Sequence, residues 1–257
     1  MISIKEISNT QISMWQRCPK QWEFRYQRGL KLPPKGVMLQ GSAYHAALKA
    51  NFRHKIDSGE DLDIREVMDA YDTSWRERTS SKVEDLLDLD LETDNIDWEG
   101  KEPGSLKDEG YKLLSLYHRN VAPSVIPKFV EQREEKPIGR EVIYVGYPDI
   151  ETETEIIDHK LKSKSMNQMD ADRDTQPLSY CLLKDKRRFA FHVVVKKKVP
   201  EIQIIKVAKT NKDIIWWADA VKQIVAQMKT GIAPPNHTGW WCSDRFCGYW
   251  KLCRGRR

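Results

Sequence analysis

The sequence predicts an α/β (α+β) fold in which helices flank a mixed central sheet, and three observations lead there. Helical periodicity dominates residues 36–135. It gives way near Lys136 to short runs rich in β-branched residues, and a helical stretch then interrupts those runs before they resume. A chain of 257 residues can bury a sizeable core. We read residues 1–257 as one domain, with 1–35 and 236–257 meeting at its two ends, a helical region over 36–135 and an α/β core over 136–235.

The elements follow in order. NTQISMWQRCPKQWEFRYQ predicts two helical pieces meeting near Cys18-Pro19, with Thr10 as N-cap and Pro19 in a first helical turn. LKLPPKG breaks that pattern, and a second helix starts near Met38 and carries GSAYHAALKANFRHK. His45 stands one helical turn beyond Gly41. Residues 63–77 form the clearest amphipathic helix, with Ile64, Val67, Met68, Tyr71 and Trp75 on one stripe. A further helix spans about 105–121 through Leu106, Leu113, Leu114, Tyr117 and Val121. REVIYVGYPDI and EIIDHKLK then read as two strands joined by the polar turn ETET. A helix follows over 174–184 (TQPLSYCLL), then a second strand pair, RFAFHVVVKKK and EIQIIKVAK. The last long helix covers 211–229, with Ile214, Trp217, Val221, Ile224, Val225 and Met228 inward. The tail, GWWCSDRFCGYWKLC, reads as irregular.

Charge points to a polyanionic partner. The net charge is +5, yet residues 84–99 (EDLLDLDLETDNIDWE) carry eight acids and no Lys or Arg, so the rest is more basic than that total suggests. We expect this segment to be a surface loop or insertion. Basic clusters stand at Lys184–Arg188, Lys196–Lys198 and Arg254–Arg257. Lys162, Lys164, Lys196, Lys197 and Lys198 are the candidates for nucleic-acid backbone contacts. No signal peptide or apolar stretch of bilayer length is visible, so an intracellular, cytoplasmic protein with no membrane partner is expected.

The charges inside GYPDIETETEIIDHKLK demand a chemical account. Asp158 and Lys160 are two residues apart on a strand and project from the same face, whereas the His159 side chain points the other way. If ETET turns the chain back, Asp149 arrives beside Asp158 and beside the His159 backbone carbonyl. Converging oxygens of this kind suit a hard cation, Mg²⁺ or Mn²⁺. Lys160 can then orient an attacking water or neutralise charge growing on a phosphoryl oxygen. The plain alternative is a structural ion pair of Lys160 with Asp158 or Asp149. The flanking Ile156 and Ile157 argue against it, because a buried ion pair seldom offsets its own desolvation.

GYPD…EIIDHK resembles the Gly-x-x-Asp…Asp-x-Lys signature of the PD-(D/E)XK nuclease superfamily. Three further stretches match in order. His45 in GSAYHAAL is similar to the N-terminal metal-ligating histidine of RecB-like members. Gln176 and Tyr180 in QPLSY resemble their Gln-x-x-x-Tyr motif. ISNTQISMWQRCPKQWEFRY resembles the opening of AddB- and RecB-like iron–sulfur nucleases, which include the CRISPR-associated exonucleases. Together these cover nearly the whole chain. The resemblance implies a restriction-endonuclease-like core and hydrolysis of DNA. It also implies that His45, Asp149 and Asp158 are metal ligands, Lys160 serves the nucleophile, and Gln176 and Tyr180 meet the DNA backbone or position water. The second acid is Asp158 where Glu is common.

Of five cysteines, Cys242, Cys247 and Cys253 cluster at the C-terminal end. A four-thiolate site needs one more, and Cys18 is the candidate. Four thiolates can bind a [4Fe–4S] cluster or Zn²⁺, and spacing alone leaves both open. One distant cysteine plus three clustered ones resembles the iron–sulfur arrangement of the AddB-type nucleases, although the first gap here is x4 where x2 is commoner. Cys181 reads as a buried apolar side chain. The expected function is a metal-dependent exonuclease acting on single-stranded or end-frayed DNA. With no phosphate-binding loop of the Gly-x-x-x-x-Gly-Lys-Ser/Thr type in the chain, any unwinding would fall to a helicase or recombination partner. The alternatives are a structure-selective endonuclease on the same core, or a non-catalytic nucleic-acid-binding protein with a Cys₄ zinc site. A virus- or mobile-element-encoded origin is compatible with these motifs.

Overall fold

A computed structural model describes residues 2–80 and 96–255. Most of the acidic stretch, together with Arg256 and Arg257, lies outside the described residues. The chain opens with β1 (Glu6–Ser8) and α1 (Asn9–Arg17), whose N-cap is Ser8, accepting from the Gln11 N–H, rather than the expected Thr10. Ser8 has the extended backbone a cap requires, and Thr10 already lies in the first turn. α2 (Pro19–Trp22) begins on Pro19 as expected, and a single π turn covers Glu23–Gln27.

Three helices form one layer: α3 (Gly36–Ser58), α4 (Ile64–Ser80) and α5 (Pro103–Asn120). α3 stops at Gly59, which takes the left-handed conformation (φ 82°) that glycine adopts without strain. The stripe expected on α4 is the buried one at Val67, Tyr71 and Trp75, while Ile64 and Met68 sit at its margin.

The expected helix-flanked mixed α/β fold is present, and among the described residues its strands divide into two mixed sheets. β4 (Val142–Gly146) lies between parallel β1 and antiparallel β3 (Glu134–Ile138). The larger sheet runs in the order β2 (Phe129–Val130), β5 (Ile150–Glu151), β6 (Ile156–Lys162), β7 (Arg188–Val195) and β8 (Glu201–Ala208). The stretch REVIYVGYPDI is therefore two strands in different sheets. Pro148 has no N–H to continue a ladder, so the chain leaves one sheet at Gly146 and enters the other at Ile150. The expected hairpin is β5–β6, closed over Thr152–Glu155, where the Thr152 hydroxyl accepts from the Glu155 N–H at 3.0 Å.

β6 and β7 pair in parallel, with α6 (Gln168–Arg173) and α7 (Thr175–Lys184) between them. β8 returns antiparallel to β7, and α8 (Asn211–Lys229) spans the predicted range behind a Thr210–Asp213 capping box. The turn-rich tail ends in α9 (Trp250–Arg254). β3 was missed because EEKPI carries charges and a proline, which an edge strand tolerates. α6 is too short and polar to show a period.

Alternation along β6 separates two cores. Ile156 faces α7 and α8 with Phe189, Phe191, Trp217 and Val221. Ile157 faces the three-helix layer with Phe52, Leu113, Tyr117 and Val194. A third, smaller cluster ties Phe24, Leu30 and Leu32 to Cys247, Tyr249 and Trp250. Among the described residues, no helix is long and apolar enough to cross a membrane.

Candidate active site

In the middle of β6, Asp158 and Lys160 face α7 while His159 faces the helical layer, as the alternation requires. Asp158 is 2 % exposed. Its Oδ2 lies 2.7 Å from the Lys160 ammonium, and Gln176 on α7 spans the two, donating to Asp158 Oδ1 (2.5 Å) and accepting from Lys160 Nζ (2.7 Å). The ammonium is poorly aligned with Asp158 Oδ2, which is left without a true hydrogen bond. Burial pushes the Asp158 carboxyl up to about 6, with the Lys160 charge opposing and the Asp149 charge reinforcing the shift. Burial would lower Lys160, but Asp158 outweighs it and holds the ammonium above its ordinary range.

Asp149 occupies the kink between the two sheets. Its Oδ2 accepts from the His159 backbone N–H (2.7 Å) and lies 3.3 Å from His45 Nδ1 and 3.4 Å from His159 Nδ1. Burial would raise this carboxyl, yet the His45 charge and the hydrogen bonds from His159 and His45 hold it well below the usual carboxylate range. His45 is displaced oppositely. Burial would lower it, and Asp149 raises it to about 9.

Donor atoms of His45, Asp149 and His159 lie within 4.8 Å of one another and form the one such His/Cys/Asp/Glu group among the described residues. The two expected carboxylates make separate contacts, yet they lie close enough for the Asp149 charge to raise Asp158. Asp149 stands with two imidazoles, and Asp158 stands with Lys160 and Gln176. The His159 ring does pack away from Asp158, but its Nδ1 still reaches Asp149, which the strand rule alone does not foresee. An orphaned buried carboxylate oxygen and an imidazole–carboxylate cluster fit a divalent cation.

The cleft around this group holds about 720 Å³ and is lined also by Gly41, Ser42, Lys49, Arg78 and Glu131. Lys49, ion-paired with Glu131 at 2.5 Å, was visible in the sequence as the residue one helical turn past His45 on the same face. Arg78 had no sequence signal. Tyr180, one turn past Gln176, donates to the Tyr147 carbonyl at 3.2 Å. Gly146 makes that approach feasible: a Cβ there would come within 2.9 Å of the Tyr180 ring and 2.6 Å of Leu183. The first glycine of Gly-x-x-Asp therefore seats α7 against the kink.

Of the candidate nucleic-acid lysines, Lys164 and Lys198 are exposed and Lys162 is half-buried. Lys196 turns inward to donate to Gln40 (3.0 Å), and Lys197 pairs with Glu201 (2.7 Å).

α1 connects this site to the cysteines. Asn9 at its start accepts from Thr175 (2.8 Å) and Ser179 (2.9 Å) of α7, and Cys18 caps its end. Cys18, Cys242, Cys247 and Cys253 line one cavity of about 170 Å³, walled by Trp241, Tyr249 and Trp250. Trp240 is 73 % exposed and does not join that wall. Three sulfurs have N–H donors: Asn236 N–H to Cys18 (3.4 Å), Gln21 to Cys247 (3.2 Å) and Arg254 to Cys242 (3.7 Å). Burial and the three neighbouring sulfurs push the Cys253 thiol up. No three of these sulfurs lie within 4.8 Å of one another. Cys181 is fully buried in α7, as expected.

A mixed sheet that brings two aspartates and a lysine to one end beneath a crossing helix is the frame of the restriction-endonuclease-like nucleases. The sequence profile of the PD-(D/E)XK nuclease superfamily matches residues 6–254, and the chain belongs to that superfamily. Among solved structures, it is similar to the "putative exonuclease" of Eubacterium rectale, with a TM-score of 0.62 at 11% identity over 98% of this chain and 88% of that one. SSO0001 aligns more loosely, with a TM-score of 0.44 at 11% identity over 100% of this chain and 89% of that one. No curated protein gives a match.

Proposed function

We propose that the protein is a metal-dependent DNA exonuclease of one domain, held at its two ends by a [4Fe–4S] cluster. The observation that carries this is the Asp158–Lys160–Gln176 contact set, whose lysine lines one cleft with Asp149 and His45. Mg²⁺ or Mn²⁺ would be held by Asp149, Asp158, His45 and the His159 carbonyl. Such an ion supplies Lewis-acid activation of water and charge neutralisation at phosphorus. Lys160 presents its ammonium to the phosphoryl oxygens and orients the attacking water. Gln176 fixes the distance between Lys160 and Asp158, and Tyr180 holds the kink that carries Asp149. Lys162, Lys164 and Lys198 are free to follow the phosphate backbone. The name of the Eubacterium rectale neighbour agrees with exonuclease action. Activity on end-labelled linear DNA against circular single- and double-stranded DNA tests the reading. Release of end label with circles spared is expected, and cleavage of circles at an equal rate would point to an endonuclease.

The cysteine cavity favours an iron–sulfur core over zinc. Four thiolates around zinc stand about 3.8 Å apart, given Zn–S bonds near 2.3 Å, and no three of the sulfurs here come within 4.8 Å of one another. Hydrogen bonds to sulfur are a usual accompaniment of such clusters. Anaerobically purified protein should be brown, absorb near about 400 nm and contain iron. Cys18→Ser should bleach it. A colourless wild type with one equivalent of zinc would overturn the cluster.

Metal binding should depend on pH with a definite sign. At pH 7 the metal-free His45, raised to about 9, carries a proton that a metal must displace. Apparent affinity should climb roughly tenfold per pH unit toward about pH 9 and then level off. Calorimetry in buffers of different ionisation enthalpy should show about one proton released at pH 7, and no release would contradict the assignment. By the same shift, the metal-free His45–Asp149 pair contributes fully to stability below pH 6.5. That contribution is lost as pH rises through about 9.

A further inference from the structure

We propose that the His159 imidazole, beyond the backbone carbonyl of that residue, is a metal ligand in this chain. It brings a second imidazole to the ligands already assigned, beside His45 and Asp149, and Tyr117 and His192 are the positioning residues that present its Nδ1. The inference rests on reading the cleft as a metal site and adds a ligand that the Asp-x-Lys strand does not by itself supply.

His159 is 1 % exposed and stacks on Phe52, with centroids 6.0 Å apart and planes 16° from parallel. A ring so enclosed must satisfy both nitrogens. Nε2 lies 2.8 Å from the Tyr117 hydroxyl, and that hydroxyl lies 2.7 Å from His192 Nδ1. Tyr117 has a single hydroxyl proton, so the chain runs in one of two directions.

In the first direction His192 donates to Tyr117, Tyr117 donates to His159 Nε2, and the His159 Nδ1–H faces Asp149. In the second, His159 Nε2–H donates to Tyr117 and Tyr117 donates to His192 Nδ1. His159 Nδ1 is then a lone pair 3.4 Å from Asp149 Oδ2, with His45 Nδ1 3.3 Å from the same oxygen. Once His45 has also given up its proton, as metal binding requires, these electron-rich atoms repel one another unless a cation lies among them. A divalent ion therefore selects the second direction, and protons shift along the chain while the heavy atoms stay in place. Donation of the remaining ring N–H to a fixed acceptor is the usual support of a metal-bound histidine, and its loss typically weakens binding by about 10–100-fold. A set rich in imidazole favours divalent transition ions over Mg²⁺. Burial holds His192 near 3, so the far end of the chain stays neutral and able to accept.

The test uses the full chain with Mn²⁺ and no DNA. Pulsed electron paramagnetic resonance should count two imidazole nitrogens coupled to bound Mn²⁺ in the wild type and one in His159→Gln. One nitrogen in the wild type, two remaining in His159→Gln, or no Mn²⁺ binding overturns the proposal. If His159→Gln does not fold, His45→Gln takes its place and must also fall from two to one. Tyr117→Phe should weaken Mn²⁺ binding by calorimetry about tenfold or more, and unchanged affinity would remove Tyr117 from the positioning role. No cleavage enters these measurements. A protein that binds Mn²⁺ through two imidazoles but cuts no DNA would sink the nuclease reading alone, and a nuclease with one coupled imidazole would sink this one alone.

Discussion

Lys160→Ala is expected to slow phosphodiester hydrolysis by about 10³-fold, the scale on which a fixed charge-stabilising donor acts in an active site. Lys160 is the cation in contact with Asp158, and Lys162, the next lysine on that face of β6, stands two residues further along the strand. The fold should survive. The Asp158 carboxyl already sits near 6 because of its burial, so on losing the ammonium it can take up a proton near neutral pH. Gln176 stays within hydrogen-bond reach of it in either form. The variant should therefore melt within a few degrees of the wild type while single-turnover rates on end-labelled DNA collapse. Lys160→Arg keeps the charge but replaces a point donor with a planar fork, and should recover only a small part of the rate. Wild-type turnover in Lys160→Ala would show that the lysine is merely a structural partner of Asp158.

Why this site was readable, and where it was not, follows from how local each signal is. Asp158 and Lys160 share a face because strands alternate, a property of the backbone that needs no tertiary knowledge. Gln176 and Tyr180 share a face because helices turn in 3.6 residues. The start of α8 is marked locally by its Thr210–Asp213 capping box. The position of Asp149 depended on something else, a break between two sheets. From sequence, Gly146-Tyr147-Pro148 looked like the middle of one strand, because the contact that requires a glycine comes from Tyr180 and Leu183, more than thirty residues away in the chain. The approach of the His159 ring to Asp149 was not legible for a related reason. Alternation correctly turns its ring from Asp158, but the kink swings Asp149 round the strand edge to meet that ring. Tyr117 and His192 carried no signal, since a tyrosine in a helix stripe and a histidine in a buried strand look like ordinary core.

The two-sheet arrangement has its own expected weak point at Lys184. The Lys184 ammonium, at the end of α7, lies 2.6 Å from Glu134 on β3 and 2.7 Å from Glu151 on β5, so one side chain bridges both sheets. Glu151 is 8 % exposed, and its Oε2 has no well-aligned hydrogen bond beyond this ion contact. Lys186 reaches only the other oxygen, at 3.2 Å. Lys184→Met keeps the length and packing of the stem but strips the buried Glu151 Oε2 of its cation, leaving Lys186 at the other oxygen alone. It should cost about 3 kcal/mol, or roughly 6–12 °C in melting temperature for a chain of this size. Because β5 starts one residue after Asp149, the loss should also loosen the kink and weaken metal binding before the protein unfolds. The double variant Lys184→Met/Glu151→Leu removes the stranded charge and should regain more than half of the lost stability, since replacing both partners of a buried pair is far milder than removing one. If the single variant melts with the wild type, the bridge between the sheets contributes no more than a surface ion pair. If the double variant is no better than the single, the cost lies in lost packing at the end of α7, and the Glu151 charge is not its source.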